Sequence, residues 1–289
     1  MPPEFEVKSY EQLLDEYARE RSKPDYEPVQ LGFGSLDADI RGISAGQVCG
    51  IAARTAVGKS WVLASVEHNF AARVDAGSLL LSLEMPGPEW AERALAIQAD
   101  VSPEVVETWA REGELGQHAA GFLELMEHAL VVDEPVHLNH MPAVLAAARE
   151  RLRVPLRLVL IDYLGLLDAV GVGPYERASA LGKGLKRVAK AEQVAIVVAM
   201  QLSRAAGDGS ETVTIQMLRD SGVLEESLDF LVGCWRPGKA PDLPPPDAIA
   251  LRNVMRAALL KNRKGEDGRV VDLIFVDESR RLYEPSQAL

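Results

Sequence analysis

Cysteine is scarce in this chain, and its two thiols, Cys49 and Cys234, both lie inside apolar runs. That scarcity excludes a disulfide framework and argues against a zinc site, leaving buried, reduced thiols as the expectation. No apolar run approaches the roughly 20 residues a membrane span needs, and the acidic opening Met1-Pro2-Pro3-Glu4-Phe5-Glu6 has no signal-peptide pattern. A cytoplasmic protein with no membrane contact is therefore expected. Positive charge is also short, since 31 Lys and Arg face 43 Asp and Glu for a net charge of −12. A broadly basic nucleic-acid surface is not available, but a narrow channel of backbone N–H groups and a few arginines could still hold a strand, with salt-sensitive affinity. No internal repeat is evident. His137 and His140 lack any local ligand pattern and read as surface histidines.

What the chain does have is a strand, a tight loop and a helix start. Apolar Val48 to Ala52 lead into Ala53-Arg54-Thr55-Ala56-Val57-Gly58-Lys59-Ser60, and Trp61, Leu63, Ala64, Val66 and Phe70 follow at helical spacing. In that setting the loop N–H groups and the positive helix end cradle phosphates, Lys59 reaches the β/γ oxygens and the Ser60 hydroxyl ligates Mg²⁺. The G-x-x-x-x-G-K-[ST] pattern has Ala53 at its first position, which is tolerable if that residue keeps negative φ.

With 289 residues and 47% hydrophobic content, the chain can bury one large core. Residues 1–30 form an arm whose Tyr10, Leu13, Leu14 and Tyr17 share one helical face, suited either to packing on its own domain or to docking on a neighbouring subunit. Residues 31–289 alternate short apolar runs with helical stretches, at Leu79–Leu83, Leu130–Val132, Leu158–Ile161, Val194–Ala199, Leu228–Val232, Ala257–Leu260 and Val270–Val276. This is the pattern of a mostly parallel, twisted sheet covered by helices on both faces, with the last two runs as an antiparallel edge hairpin. Pro88 to Met126 reads as several short helices broken at Pro103 and Gly113 to Gly116, and Pro237 to Pro246 as a surface loop.

Three strand ends carry polar groups. Asp162 follows four apolar residues, where open α/β sheets bind ligands, and would hold Mg²⁺ through a water. Glu84 closes another strand and could polarise an attacking water. Gln201 ends a third and could sense a γ-phosphate.

Leu83-Glu84-Met85, the run into Asp162-Tyr163-Leu164, Gln201-Leu202-Ser203-Arg204, Leu218-Arg219-Asp220-Ser221-Gly222 and Lys261-Asn262-Arg263-Lys264-Gly265 stand in an order and spacing that resemble the RecA-like motor domain of DnaB-type replicative helicases. Gly32-Phe33-Gly34-Ser35-Leu36-Asp37 looks like that domain's opening segment. The resemblance covers roughly residues 30 to 284, and in the family the first loop glycine is often alanine. It implies a RecA-like P-loop NTPase fold, with ATP and Mg²⁺ bound by Lys59, Ser60 and Asp162. It makes Glu84 the catalytic base, Gln201 the γ-phosphate sensor, and Lys261 and Arg263 the pair that reaches the adjacent subunit's nucleotide, Arg263 being the arginine finger. Arg219, Asp220 and Gly222 match the loop that grips the backbone of single-stranded DNA. Ala205 to Thr212 is then the channel-facing loop, although Asp208 and Glu211 are its only charged residues.

The resemblance implies a homo-oligomeric DNA helicase or translocase, a hexamer, acting on single-stranded or forked DNA during replication. Only some thirty residues precede the motor, so a stand-alone motor without the family's collar domain is expected, with the primase or loader partner open. Three other functions compete. Lys-Asn-Arg-x-Gly is also a signature of bacterial branch-migration ATPases, which add a zinc module and a protease-like domain that are not seen here. Clustered acids could serve a fork nuclease, and a nucleotide-dependent clamp would suit the acidic channel loop.

Overall fold

Among the residues described by the computed structural model (7–23, 26–171, 173–203, 207–218 and 221–285), the chain opens with two helices, α1 (Tyr10–Arg21) and α2 (Gly34–Ile40). Then come β1 (Val48–Ala53), α3 (Lys59–Ala71), β2 (Gly77–Ser82), the helical run α4 (Gly87–Ala99), α5 (Pro103–Glu112), α6 (Leu115–His118) and α7 (Ala120–Leu125), and β3 (Ala129–Val132). They are followed by α8 (Met141–Arg151), β4 (Leu156–Asp162), α9 (Pro174–Glu192), β5 (Ala195–Gln201), α10 (Ser221–Ser227), β6 (Phe230–Trp235), α11 (Pro245–Leu251), β7 (Val254–Asn262), β8 (Val270–Phe275) and the two-residue β9 (Leu282–Tyr283).

The strands form one sheet in the order β3-β2-β4-β5-β1-β6-β7-β8-β9. Pairing is parallel from β3 to β6 and antiparallel from β6 onward. Side chains alternate across this sheet with a period of two, and the core divides accordingly. Cys49, Ile51 and Ala53 of β1, Leu158 and Leu160 of β4, and Ala195, Val197 and Ala199 of β5 face one apolar cluster, which also holds Val62, Leu63, Val66 and Phe70 of α3. Val48, Ala52, Val159, Ile161, Ile196 and Val198 face the other, with Leu145 of α8 and Leu181, Leu185 and Val188 of α9. All six residues of β1 are buried because helices cover both faces, as near-continuous apolar runs require.

Two details differ from the sequence reading. The β7–β8 hairpin is not the outermost element, because β9 pairs with β8; a two-residue strand leaves no periodic signal. Pro237 to Pro246 is partly helical, with a 3₁₀ turn at Pro237–Lys239 and α11 starting at Pro245, where a proline at the first helical positions is well accommodated. The breaks expected at Pro103 and Gly113 are present as the starts and ends of α5. Both cysteines are free and buried. α1 is fixed locally by a Ser9–Gln12 capping box but buries no residue, and Tyr10, Leu13, Leu14 and Tyr17 are all exposed, so packing on its own domain is not what this protomer does. Among the described residues, no helix is long and apolar enough to cross a membrane.

One buried charge sits between these layers. Glu67 of α3 is 1% exposed, accepts from Trp90 Nε1 of α4 at 3.0 Å and meets the Ser78 hydroxyl of β2 at 3.5 Å, with no cation bonded to it among the described residues. Burial pushes its pKa up to about 7. The folded state therefore holds this proton up to a higher pH than the unfolded chain, so stability falls as pH rises from about 4.5 to about 7. Glu67→Gln mimics the protonated acid. It is expected to leave the melting temperature near wild type at pH 5 and to raise it at pH 8, by up to about 3 kcal/mol of stability; equal melting curves at pH 8 would contradict the buried-acid assignment.

Candidate nucleotide-binding site

The loop between β1 and α3 is shaped by two left-handed residues, Ala56 at φ +61° and Gly58 at φ +119°. Ala53 ends the strand without positive φ, so its methyl is accommodated. A Cβ on Gly58 would lie 3.0 Å from Phe275 Cζ and 3.2 Å from Met255 Cε, so conformation and space both demand glycine there. Thr55 and Ala56 are exposed, Arg54 and Ser60 half-buried, and Val57 buried beneath them. α3 starts directly at Lys59, so its first N–H groups point into the loop, where an anion is favoured.

Period-two alternation explains what meets this loop. Asp162 has the parity of Leu158 and Leu160, and Gln201 that of Val197 and Ala199, so both lie on the face covered by α3. Gln201 pairs with Ala53 in register, and its Nε2 donates to Thr55 Oγ1 at 2.9 Å. Ser82 pairs with Asp162 across β2 and β4. The N–H groups of Leu83 and Glu84 both donate to the Asp162 carbonyl, at 2.8 and 3.2 Å, and Ser82 Oγ donates to the Met85 carbonyl at 2.7 Å. These bonds pin the exposed Glu84 beside the loop.

Lys59 is 7% exposed. Burial lowers its pKa, while Asp162 and Glu84 oppose that shift. Asp162 is 0% exposed, and burial raises its pKa against the influence of the Ser60 hydroxyl and Lys59. Ser60 stands near enough to have that effect, yet neither Asp162 oxygen meets hydrogen-bond geometry with any described residue. A buried carboxylate with two orphan oxygens beside a hydroxyl and a phosphate loop is the donor set a hydrated Mg²⁺ fits.

Three cations around the loop escaped sequence reasoning. Arg93 of α4 lies over the Trp61 ring at 4.3 Å, near enough to Asp162 and Glu84 for both to act on its charge. Lys239 Nζ donates to the Ala56 carbonyl at 2.6 Å, and Arg54 donates to the carbonyls of Gly207 and Leu202 at 2.8 and 3.2 Å. Only adjacency in space links these residues to the motif, so spacing could not reveal them.

The remaining expected residues lie elsewhere. Lys261 and Arg263 do not approach the phosphate loop of their own protomer. β6 runs roughly 13 Å, at about 3.3 Å per residue, from Phe230 beside Asn262 to Cys234 beside Ala53, which places the two at opposite edges of the sheet. Arg219 and Asp220 lie outside the described residues, and Gly222 is in the first turn of α10. Part of the expected channel loop also lies outside them, but residues 207–212 pack toward the phosphate loop: the Gly209 carbonyl accepts from Arg236 N at 2.8 Å, and a Cβ on Gly209 would meet Val57 Cγ2 at 2.5 Å. That loop is drawn inward by Arg54.

The family described as DnaB-like helicase C terminal domain matches residues 28–284. The chain belongs to this family. Its members among bacterial relatives include the replicative DNA helicase DnaC of Bacillus subtilis strain 168, 24% identical over 281 residues, covering 96% of this chain and 60% of that protein. The replicative DNA helicase DnaB of Leifsonia xyli is 28% identical over 212 residues, covering 71% of this chain and 46% of its own length. The chain thus spans about half the length of these relatives. In fold it is similar to a helicase-type ATPase domain solved by itself, with TM-score 0.79 at 22% identity over 95% of this chain and 97% of that one. It is also similar to a DnaB-like replicative helicase solved in a study of its interactions with primase, with TM-score 0.80 at 22% identity over 96% and 68% of the two chains. The RecA-like fold expected from the motifs is therefore correct, and the branch-migration and nuclease alternatives find no support in these matches.

Two substitutions test the geometry. Gly58→Ala is expected to abolish binding of a fluorescent ATP analogue, because it imposes a strained conformation and a clash in the loop. Arg93→Ala removes a cation held beside both carboxylates and is expected to lower phosphate release at least tenfold, with an unchanged melting temperature; wild-type turnover would place Arg93 outside the site.

Proposed function

We propose that this chain is the motor of an ATP-dependent, ring-forming helicase that translocates on single-stranded DNA and opens forks during replication. One observation carries the reading: Lys59, Asp162, Glu84 and Gln201 converge on one phosphate loop, while the basic hairpin of Lys261 and Arg263 sits at the opposite sheet edge. A protomer so built holds one half of a hydrolytic site at each end. Copies arranged head to tail bring the halves together, and closure of such a heterologous contact gives a ring, here taken as six copies.

In this reading, residues 53–60 wrap the triphosphate with backbone N–H groups and the α3 N-terminus, and Lys59 neutralises the β and γ oxygens. Ser60 and Asp162 hold Mg²⁺, which when bound offsets the charge that develops on the phosphates. Glu84 lies at the end of β2, where its carboxylate orients a water and accepts its proton as the oxygen attacks the γ-phosphorus. Arg263 of the neighbouring copy stabilises charge on the departing γ-phosphoryl group, a contribution of about 10³ to 10⁵ in rate for a finger supplied in trans.

Gln201 supplies the route from chemistry to DNA. It is followed by Leu202, which bridges to Leu218, and Ser203 N donates to the Met217 carbonyl at 3.2 Å. The γ-phosphate sensor and the Arg219–Gly222 segment are thus joined at the base of one loop. Contacts from Arg219, Asp220 and Gly222 to the sugar-phosphate backbone position a strand without reading its sequence, as a translocase requires.

A labelled fork incubated with Mg²⁺ tests the assignment directly. Strand separation with ATP and an intact fork without it are expected; cleavage of a strand without nucleotide would overturn the motor in favour of a nuclease. Lys59→Ala is expected to abolish ATP hydrolysis. Arg263→Ala is expected to abolish hydrolysis while keeping nucleotide binding, and mixing the two inactive proteins should restore part of the activity at hybrid interfaces. Silence of that mixture would refute a shared site.

A further inference from the structure

The finger pair ends in a socket that belongs to its own protomer. Asp229, just before β6, is 3% exposed. Its Oδ2 accepts from Val48 N at 2.8 Å and from Lys186 Nζ at 2.5 Å, while its Oδ1 accepts from Arg263 Nη1 at 3.3 Å. Main-chain bonds seat the same contact, since Arg263 N donates to the Asp229 carbonyl at 3.1 Å and Asp229 N to the Val48 carbonyl at 2.9 Å. Lys186 also donates to the Gly46 carbonyl at 2.8 Å, which fixes the carboxylate from behind. On the other side, Arg263 Nη2 donates to the Glu226 carbonyl at 2.6 Å, and Lys261 Nζ donates to the Glu225 carbonyl. Both cations therefore rest on the last turn of α10, where helix carbonyls lack helical partners and favour positive charge.

Yet the Arg263 side chain remains 47% exposed. A guanidinium carries five N–H donors in a rigid fork, so one edge can be held by a buried carboxylate and a helix-end carbonyl while another faces outward toward an anion. Fixing a long side chain in advance also reduces the ordering cost of the later contact.

We propose that Asp229 is the positioning residue of the arginine finger, holding Arg263 in the pose that meets the neighbouring protomer's nucleotide. The inference rests on the trans-finger reading above. Asp229 touches no substrate; it acts through Arg263.

The test uses mixtures of variants, read as phosphate release together with binding of a fluorescent ATP analogue. Asp229→Asn alone is expected to lower kcat by about 10²-fold, the order of loss that a misplacement near 1 Å produces, with nucleotide binding unchanged because its own phosphate loop lies at the other sheet edge. Mixed with Lys59→Ala protein it should regain activity, since the intact finger of that variant serves the intact loop of Asp229→Asn. Mixed with Arg263→Ala protein it should stay inactive, since neither variant places a finger. The Lys59→Ala and Arg263→Ala mixture separates the two ideas: its silence sinks the shared site itself. If that mixture is active while Asp229→Asn keeps wild-type turnover, is not rescued by Lys59→Ala, or is rescued by Arg263→Ala, the positioning role is overturned. Should Asp229→Asn fail to fold, Asp229→Glu retains the charge and shifts the guanidinium by a methylene length. It is expected to lower kcat tenfold or more at constant KM for ATP, and a wild-type kcat would overturn the role.

Discussion

A left-handed turn at Gly58, between a strand buried on both faces and a helix that begins one residue later, is the constraint on which the rest depends. It points the N-terminus of α3 and the Lys59 side chain into the same small space. Because β1 lies between β5 and β6, the loop is flanked by the ends of neighbouring strands. Strand periodicity then decides which side chains arrive, and Asp162 and Gln201 arrive because their parity is that of the residues packed under α3. Lys59 is buried against these acids. Desolvating an ammonium is unfavourable unless it is matched, and Asp162, with Glu84 close by, supplies the match. The site is thus stored as a compact set of partly unsatisfied charges, complementary to a metal–triphosphate.

Much of this was legible in the sequence, for identifiable reasons. β1, β2, β4 and β5 are apolar runs that end in a loop or a polar residue, a signal in single residues that composition does not blur, and their ends are the site. Parallel strands joined by helices follow from the alternation itself. Contacts between elements distant in sequence were not legible. Arg93 reaches the carboxylates only because α4 packs on α3, where it stacks on Trp61, and Lys239 reaches Ala56 because β6 ends beside the loop. Asp229 was hidden inside an apolar run, where one acid before a strand looks like a cap. The inward fold of residues 207–212 was missed for a related reason, since short polar stretches read as solvent-facing while the two Arg54 bonds that hold the loop are side chain to main chain.

The acidic balance of the chain also takes a specific meaning in this architecture. A surface of net charge −12 repels a phosphate backbone at long range, but screening shortens that repulsion to about 10 Å at moderate salt. Affinity for a strand then has to come from short-range contacts inside a channel, largely main-chain, and from enclosure by several copies. Weak, sequence-blind contacts multiplied around a ring suit an advancing motor better than one strong basic patch, which would hold the strand in place.

Asp229 ties the two ends of the protomer together. Its carboxylate is bonded to the first N–H of β1, the strand that ends in the phosphate loop, and to Arg263, which serves the next copy's loop. The same cations rest on the C-terminal turn of α10, whose first turn follows the Arg219–Asp220 segment. An anion drawing Lys261 and Arg263 outward competes with the α10 carbonyls for the same N–H donors, so occupancy of one site biases the helix beside the DNA segment of its neighbour. For that competition to be reversible, the two sets of contacts must be close in free energy. Half-exposed hydrogen bonds to helix-end carbonyls, each contributing about 1 kcal/mol net, meet that condition, whereas a fully buried ion pair would not release. Asp229 is buried and Arg263 is not, so the carboxylate stays as the fixed anchor and the guanidinium swings between its own helix and the neighbour's phosphate.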